Sequence, residues 1–576
     1  MAKTPSSDVP RTGAARYTDL SPDKLRGGYY TPADLTEWMA AWCIRSADDR
    51  VLEPSCGDGA FLTAVAKRLL GLGAKPEAVV KHVQGVEVTQ AEATKAIAAL
   101  GSVLKVAADG AVTTADFFEW CRSSGRGAFD AVIGNPPFIR YQSFPEPSRG
   151  KAMEMMFAHG LRPNRLTNSW VPFVVASVSA LVPGGRMGLV LPAELLQVTY
   201  AAQLRRFLVD SFRAIHVIAC NELFFDKAEQ EVVVFLAHDR VGPLGPHDDC
   251  SVAVTATTSR HSLLSRSAEA VVAKTPPKVV RHEDEKWLKY FLSQPQIDLL
   301  RSLRACGVAT TLDKFASVDV GVVTGKNEFF VVNDQQVGEW QLSHFVVPLA
   351  ARAAHLSGAI FDRARWEHLV ARGERAHLLQ LGHQPRHRLP YKTLQYVAHG
   401  ETRGYHTGYK CSVRQPWYAV PGVWAPDAFL LRQIHDFPRV LVNRAGATCT
   451  DTVHRMTVYQ GPAEIVAAMC FTSLTAASAE IEGRSYGGGV LELEPTEAER
   501  LLVPSSIASA LDLSEIDFLI REGRVLDVLD FNDRTILGAH LGLSVSDRAL
   551  LRSAWDVMRE RRQGRRRLAA NPEARL

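Results

Sequence analysis

Asp130-Ala131-Val132-Ile133-Gly134-Asn135-Pro136-Pro137-Phe138 is a short apolar run that ends in an amide, two prolines and an aromatic ring. The segment from Phe129 to Ile133 is too short for a helix and β-branched at its centre, which predicts a buried parallel strand. Pro136 and Pro137 cannot continue a ladder and hold φ near about −65°, so the turn after the strand is stiff and Asn135 sits where the strand stops. In an open α/β sheet ligands bind at the carboxyl ends of the strands. A rigid turn there fixes an amide oxygen, a backbone carbonyl and a ring relative to one another, the groups needed to grip an exocyclic amine and stack on its base. Taken alone, the same residues are equally an ordinary strand-to-loop exit. Their neighbours decide between the two.

Upstream, Val51-Leu52-Glu53-Pro54-Ser55-Cys56-Gly57-Asp58-Gly59-Ala60-Phe61-Leu62 reads as a short strand, a tight turn and a helix running to Leu70. Gly57 and Gly59 let the backbone approach a ligand, and the helix start offers unpaired N–H groups. The turn carries Glu53 and Asp58, which disfavour a pyrophosphate and suit a cation such as a sulfonium bearing an amino group. That points away from dinucleotides and ATP. A second strand, His82 to Val88, ends in Glu87, a carboxylate able to accept both hydroxyls of a ribose. A third is expected around Leu104 to Ala107. Asp116 could then accept from an adenine amino group while Phe117 packs on the ring. Before all of these, Arg26-Gly27-Gly28-Tyr29-Tyr30-Thr31-Pro32 leads into a helix from Leu35 to Ile44, with Thr31 or Asp34 as its cap.

Downstream, Ser169 to Leu181 reads as an apolar helix, Val182 to Arg186 as a turn, and Met187 to Leu191 as a strand stopped by Pro192. Ile215 to Ala219 and Glu231 to Leu236 are expected as the last two strands, with Leu223-Phe224-Phe225 between them. Alternating strands and helices up to residue 236 make this a doubly wound α/β domain.

A chain of 576 residues holds two or more domains with sizeable cores. It has no run of 18 or more apolar residues and no apolar segment at its N-terminus, so neither a membrane span nor a secretory signal is indicated. The nine scattered cysteines lack any Cys-x-x-Cys pair, which argues for reduced cytosolic thiols and against zinc. A net charge of +4 neither demands nor excludes nucleic acid. Arg559 to Arg567, with six arginines and one glutamate, is a solvated tail or a phosphate-binding one. Residues 1–20 are polar and expected to be disordered.

Four segments in order resemble the γ-class S-adenosylmethionine-dependent DNA adenine-N6 methyltransferases of the TaqI and Eco57I kind, a restriction–modification family. They are Gly28-Tyr29-Tyr30-Thr31-Pro32, Val51 to Gly59, Gly85-Val86-Glu87, and Ala115-Asp116-Phe117 leading to Asn135-Pro136-Pro137-Phe138. The resemblance implies a Rossmann-like class I methyltransferase domain over 21–245, with S-adenosyl-L-methionine as cofactor and no metal. It implies that Thr31 and the loop from Glu53 through Gly57 and Gly59 meet the methionine end, Glu87 the ribose, and Asp116 with Phe117 the adenine. It makes Asn135, Pro136, Pro137 and Phe138 catalytic, with Asn135 and the Pro136 carbonyl accepting from the target N6 amine and Phe138 stacking on the flipped base. Phe224 is assigned as a second ring against that base, in preference to Phe225. Phe138 stands where other members have Tyr, and the family's pattern admits either.

Residues 246–300, punctuated by Pro, Ser and Thr, are expected to be a connector, and 301–576 a mixed α+β target-recognition domain with a basic C-terminal tail. Leu312-Asp313-Lys314-Phe315 and Val320 to Phe330 resemble the opening of such regions in Eco57I-like and type I modification subunits. Lys410, Arg414, Trp417 and Arg444 combine basic and aromatic character as a nucleic-acid surface does, although Trp417 as plain core and Arg414 as an ion-pair partner fit equally. The implied partner is double-stranded DNA, with a separate cognate restriction endonuclease, a monomer on DNA and a cytoplasmic setting. The rival readings are methylation of another planar amine, RNA adenine or protein glutamine, and a DNA-binding module without catalysis. The intact Glu53, Glu87, Asp116 and Asn135 argue against the last.

Overall fold

The structure, a computed structural model, describes residues 31–220, 231–242, 250–280, 285–382, 384–486, 489–506 and 512–570. The chain divides into two units, residues 1–287 and 288–576.

The first unit is built on one nine-stranded sheet: β1 (Val51–Glu53), β2 (Val83–Glu87), β3 (Val112–Thr114), β4 (Phe129–Gly134), β5 (Leu181–Pro192), β6 (Phe212–Cys220), β7 (Val232–Arg240), β8 (Ser251–Thr257) and β9 (Lys278–Val279). Their order is β3-β2-β1-β4-β5-β7-β6-β8-β9. β1 pairs in parallel with both β2 and β4, so the order reverses between β1 and β4. Loops leaving those two strands run apart and leave a crevice between them. β7 runs antiparallel to both β5 and β6.

Six helices matter for the site: α1 (Ala33–Cys43), α2 (Ala60–Gly71), α3 (Gln90–Leu104), α4 (Phe117–Ser124), α5 (Ser148–Ala158) and α6 (Trp170–Ala180). All of α6 from Trp170 to Ala180 is buried except Ser179, consistent with its apolar sequence and its place against the sheet. α1 and α2 pack on each other, and their Leu35, Met39, Phe61 and Val65 join the sheet residues in one core. Neither Thr31 nor Asp34 caps α1: the N-cap is Pro32, without a side-chain bond, and Asp34 lies in the first turn, where it accepts from the Leu35 N–H at 2.8 Å.

Three expectations need correction. The third strand lies at Val112–Thr114, because α3 continues through Leu104 and is closed by Lys105 in the left-handed region at φ 60°. Three residues at a half-exposed edge are too few to print a period on the sequence. Residues 246–300 are not an irregular connector: β8 pairs in parallel with β6 over seven residues, two short helices follow, and β9 closes the sheet. β8 is Val, Ala, Thr and Ser without a large side chain, so its composition passes for a loop. β6 and β7 are therefore not the last strands.

The second unit contains a five-stranded sheet in the order Ala316–Val320, Val453–Val458, Ala428–Leu431, Val440–Asn443 and Ile360–Phe361, and a four-stranded one of Val331–Val332, His377–Leu379, Val346–Ala350 and Thr448–Cys449. Helices α7 (Gln294–Ala305) and α8 (Ser473–Glu482) are both contacted by α9 (Val545–Ala570). Gln296 on α7 donates to Ser553 on α9 at 3.2 Å. The arginine run from 559 thus lies on a helix, and at least Arg562 within it is no part of a solvated tail. Arg562 is 1% exposed and donates to both carboxylate oxygens of Glu480 and to the Gly489 and His435 carbonyls. Two carboxylate oxygens and two backbone carbonyls satisfy the fork of a guanidinium that could not otherwise be buried.

Among the described residues no single helix is long and apolar enough to cross a membrane, although the bent pair Ala463–Met469 and Ser473–Glu482 passes by length and composition together. Every residue of α8 up to Ile481 is buried in the unit's own core. All nine cysteines are free, and eight are buried.

Candidate active site and nucleic-acid interface

The ends of β1 and β4 carry the two loops that the sequence singles out, and the crevice of the sheet brings them together. Gly59 takes φ +91° at the start of α2, and a Cβ there would lie 2.9 Å from the Ala96 Cα, so the turn closes against α3 only with glycine. Glu87, at the end of β2, reaches across to this turn: one carboxylate oxygen accepts from Gly57 N–H at 3.0 Å and the other from Thr89 N–H at 2.9 Å. Each oxygen keeps a second lone pair for a further donor.

Glu53 is 2% exposed, and its Oε2 has no hydrogen-bond partner among the described residues. Burial lifts its carboxyl well above the usual glutamate range, and the neighbouring Asp58 and Glu87 charges lift it further, against the pull of the Leu62 backbone. Burial also raises Asp58, with Glu92 adding to it. Three carboxyls around one glycine turn make a place for a cation and repel a phosphate. Cys56 is buried in the same turn and its thiol is raised by burial and by Glu53, so it is a packing residue and no nucleophile.

Asn135 leaves the end of β4 and donates through Nδ2 to Thr31 Oγ1 at 3.3 Å. Thr31 is itself 6% exposed. Pro136 is buried, Pro137 and Phe138 are half-buried, and Phe138 packs on the edge of the core that includes α1 and α2. Ser169, which sequence reading passed over as the start of a helix, ties the loop down. Its Oγ donates to the Pro137 carbonyl and accepts from Ile139 N–H at 2.8 Å, and its own N–H donates to the Ile139 carbonyl at 2.9 Å. A small hydroxyl residue ahead of an apolar helix was the available signal.

Asp116 is the N-cap of α4, accepting from Glu119 N–H at 3.1 Å, and also accepts from the Ser148 hydroxyl of α5. Phe117 is 4% exposed and lies stacked on Phe173, ring centroids 5.3 Å apart, so its ring is held from within the protein. The structure joins Asn135 to Thr31 and Glu87 to Gly57, and a Cβ on Gly134, the residue before Asn135, would lie 3.4 Å from Glu53 Cγ. Phe224 and Phe225 lie outside the described residues, as do Gly28, Tyr29 and Tyr30.

In the second unit the four expected DNA-binding residues have different surroundings. Arg414 donates to the Thr324 carbonyl at 2.7 Å and the Val323 carbonyl at 2.8 Å. Trp417 lies tilted against Phe329, ring centroids 4.7 Å apart, and donates to Glu401 at 3.0 Å, so it packs against the core half-buried. Arg444 pairs with Glu464 at 3.4 Å, and both are exposed. Lys410 is exposed. The neighbouring Asn443 spends its amide on the Pro426 and Ala447 backbones, which is a turn-forming role.

A sheet of this order with a glycine turn after its first strand and an Asn-Pro-Pro-Phe turn after its fourth defines a class I, S-adenosylmethionine-dependent methyltransferase domain. Residues 17–257 match the N-6 DNA Methylase family, and residues 284–537 match the C-terminal domain of the type II methyltransferase M.Eco57I. The chain belongs to the γ-class adenine-N6 DNA methyltransferases of restriction–modification systems. It is 20% identical to the type II methyltransferase M.AccI of Acinetobacter calcoaceticus over 82% of this chain and 84% of that one. Against M.XamI of Xanthomonas campestris pv. amaranthicola the identity is 22%, over 83% and 85%. Among solved structures, the type IIL restriction–modification enzyme MmeI in complex with DNA aligns over 92% of this chain and 75% of its own, with a TM-score of 0.54 and 10% identity, a likeness of fold.

Proposed function

We propose that this chain transfers a methyl group from S-adenosylmethionine to N6 of an adenine turned out of double-stranded DNA, at the crevice between β1 and β4. The observation that carries this reading is the buried Glu53 Oε2, without a partner among the described residues, beside a glycine turn and beside the Gly134 that leads into Asn135, which is bonded to Thr31. Glu53 fits the ammonium end of the cofactor, because a cation repays the cost of ionising a buried carboxyl. Glu87 is held by two backbone N–H groups in a fixed orientation for a ribose. Asp116, fixed by Ser148 and the α4 start, is oriented to accept from the adenine amine. Phe117 supports that end from within the core.

When bound, the cofactor supplies an electrophilic methyl group on sulfur. The protein's part is to make the amine a better nucleophile. The N6 lone pair is delocalised into the ring, and acceptors at the Asn135 side chain and the Pro136 carbonyl favour the pyramidal amine in which it is not. Ser169 keeps the loop bearing both in one shape, and Phe138 offers a face on which the extruded base stacks. Phe224 is assigned the second stacking position. Pro137 fixes the turn between the amide and the ring.

The second unit engages the duplex and sets which adenine is presented. The chain works as a monomer on DNA in the cytoplasm, with a separate endonuclease as the cognate partner. Modified-base sequencing of unmethylated genomic DNA treated with the protein and S-adenosylmethionine tests the reading. N6-methyladenine within one recurrent motif is the expected result, and no methylated adenine overturns it.

A further inference from the structure

Between Arg375 and Pro426 the chain carries seven Lys and Arg residues and a single acid, Glu401, whereas the whole chain holds 66 of the first kind and 62 of the second. This charge segregation is confined to one segment of the second unit, and it cannot arise from an overall basic composition. Glu401 itself is consumed, accepting from Arg386 at 2.8 Å and from Trp417 at 3.0 Å. The cations around it consequently face no neighbouring carboxylate within the segment.

Within this stretch two short helices, Tyr405–Thr407 and Tyr409–Ser412, form a knuckle. It is locked to the loop that precedes Asn327: Arg414 clamps the Val323 and Thr324 carbonyls, and Lys326 sits over the Tyr405 ring at 5.6 Å. Gly325, at φ +84°, passes so close that a Cβ would come within 2.8 Å of the Lys410 Cβ. The underside is core, with Cys411 buried among Phe329 and Tyr418. The outer side is different. Tyr409 is 77% exposed and Val413 65%, neither of them covered by the fold.

We propose that this knuckle, with Lys326 and Lys410 as its cations and Tyr409 and Val413 as its apolar tip, is the part of the second unit that enters a groove of duplex DNA and determines which sequence is methylated. The inference rests on the reading that the second unit engages duplex DNA. It reassigns the work there: Arg414 and Trp417 hold the knuckle in shape, and the residues beside them make the contacts. Cations on a rigid base, exposed at Lys410 and half-buried over the Tyr405 ring at Lys326, meet phosphates. A tyrosine and a valine are able to meet thymine methyl groups and base edges with little loss of rotamer freedom. A backbone clamp underneath keeps the cost of ordering the loop out of the binding step.

The test uses the full chain and sheared genomic DNA free of N6-methyladenine, with wild-type protein defining the motif by modified-base sequencing. Lys410→Ala and Lys326→Ala are each expected to weaken binding to cognate and unrelated duplexes alike and to reduce the slope of log affinity against log salt by about 1. Tyr409→Ala and Val413→Ser are expected to raise methylation at sites one base pair away from the motif, relative to the motif itself, by roughly tenfold. Cofactor binding should stay at wild-type values in all four, and melting temperature in the three variants of exposed residues, Lys410→Ala, Tyr409→Ala and Val413→Ser. If wild type methylates its motif and all four variants do so with unchanged KM, salt slope and sequence preference, the knuckle is not the reading element, although the enzyme's function stands. If wild type methylates RNA or no DNA adenine at all, the reading beneath the inference fails first.

Discussion

Two buried glutamates set the two units apart. Glu480 in the second unit is 4% exposed and is gripped by Arg562 through both oxygens, so the pair is closed to any ligand. Glu53 in the first unit is 2% exposed, is surrounded by other carboxyls, and leaves an oxygen without a partner among the described residues. Burial raises both carboxyls, but Arg562 opposes the rise at Glu480 while Asp58 and Glu87 add to it at Glu53. A scaffold satisfies its charges internally; a binding site leaves one to be satisfied by what it binds. The same contrast holds for the surfaces. The crevice of the first unit is shaped by backbone turns, and the knuckle of the second by long exposed side chains on a clamped base.

The contrast can be broken at its strongest point first. Arg562→Ala strands Glu480 without its partner, and a loss of about 3–5 kcal/mol is expected in urea denaturation. Replacing both by apolar residues, Arg562→Met with Glu480→Leu, should recover most of it; a single variant as stable as wild type would make the pair incidental. Next, Asn135→Ala should lower the methyl-transfer rate by about 10²–10³-fold, the usual cost of one preorganised charge-stabilising group. Cofactor affinity by calorimetry should remain measurable, and an active variant would remove the central residue from the mechanism. Phe138→Ala should cost about 1–3 kcal/mol of base stacking, weakening use of a paired adenine more than a mismatched one. Equal losses on the two duplexes would argue against extrusion of the base.

The smallest effect concerns protons. Glu53 titrates above the ordinary glutamate range in the folded chain, so the folded state holds a proton that the unfolded chain releases first. The stability it contributes is present below that ordinary range and is lost as pH rises through the raised value. Glu53→Gln should flatten that part of the fall in melting temperature with rising pH. The ligand's cation should draw the proton off, so wild-type cofactor binding should release protons into buffer and strengthen with pH. Calorimetry in two buffers of different ionisation enthalpy should detect this in wild type and not in Glu53→Gln.

The order of strands in the first unit was legible where burial is complete on both faces. β1, β4 and the Met187–Leu191 part of β5 print apolar runs, punctuated by the glycine turn and Asn-Pro-Pro-Phe, whereas Val182 to Arg186, read as a turn from Pro183-Gly184-Gly185, belongs to β5 as well. β3 and β8 were missed because one is three residues at an edge and the other is built of small residues, so neither carries a hydrophobic period. Within the candidate site, the residues singled out at strand ends are those that turn chemistry marks in the sequence. Ser169 and Ser148 were not, because a serine 30 residues from its partner leaves no local trace. In the second unit a basic and aromatic stretch was visible as composition, but composition does not distinguish Trp417, facing inward, from Tyr409, facing out.

α9 has one further consequence. Its partners are α7, at the start of the second unit, and α8, so the last long helix completes a core begun some 250 residues earlier by chain order. On the ribosome the first unit emerges with all its strands and can close before the second has its final layer. A nascent chain therefore acquires its first-unit crevice well before it owns a finished second unit, and truncation between Glu480 and Arg562 leaves Glu480 without its counter-charge. Premature termination would thus send the product towards proteolysis rather than yield an enzyme that methylates without discrimination.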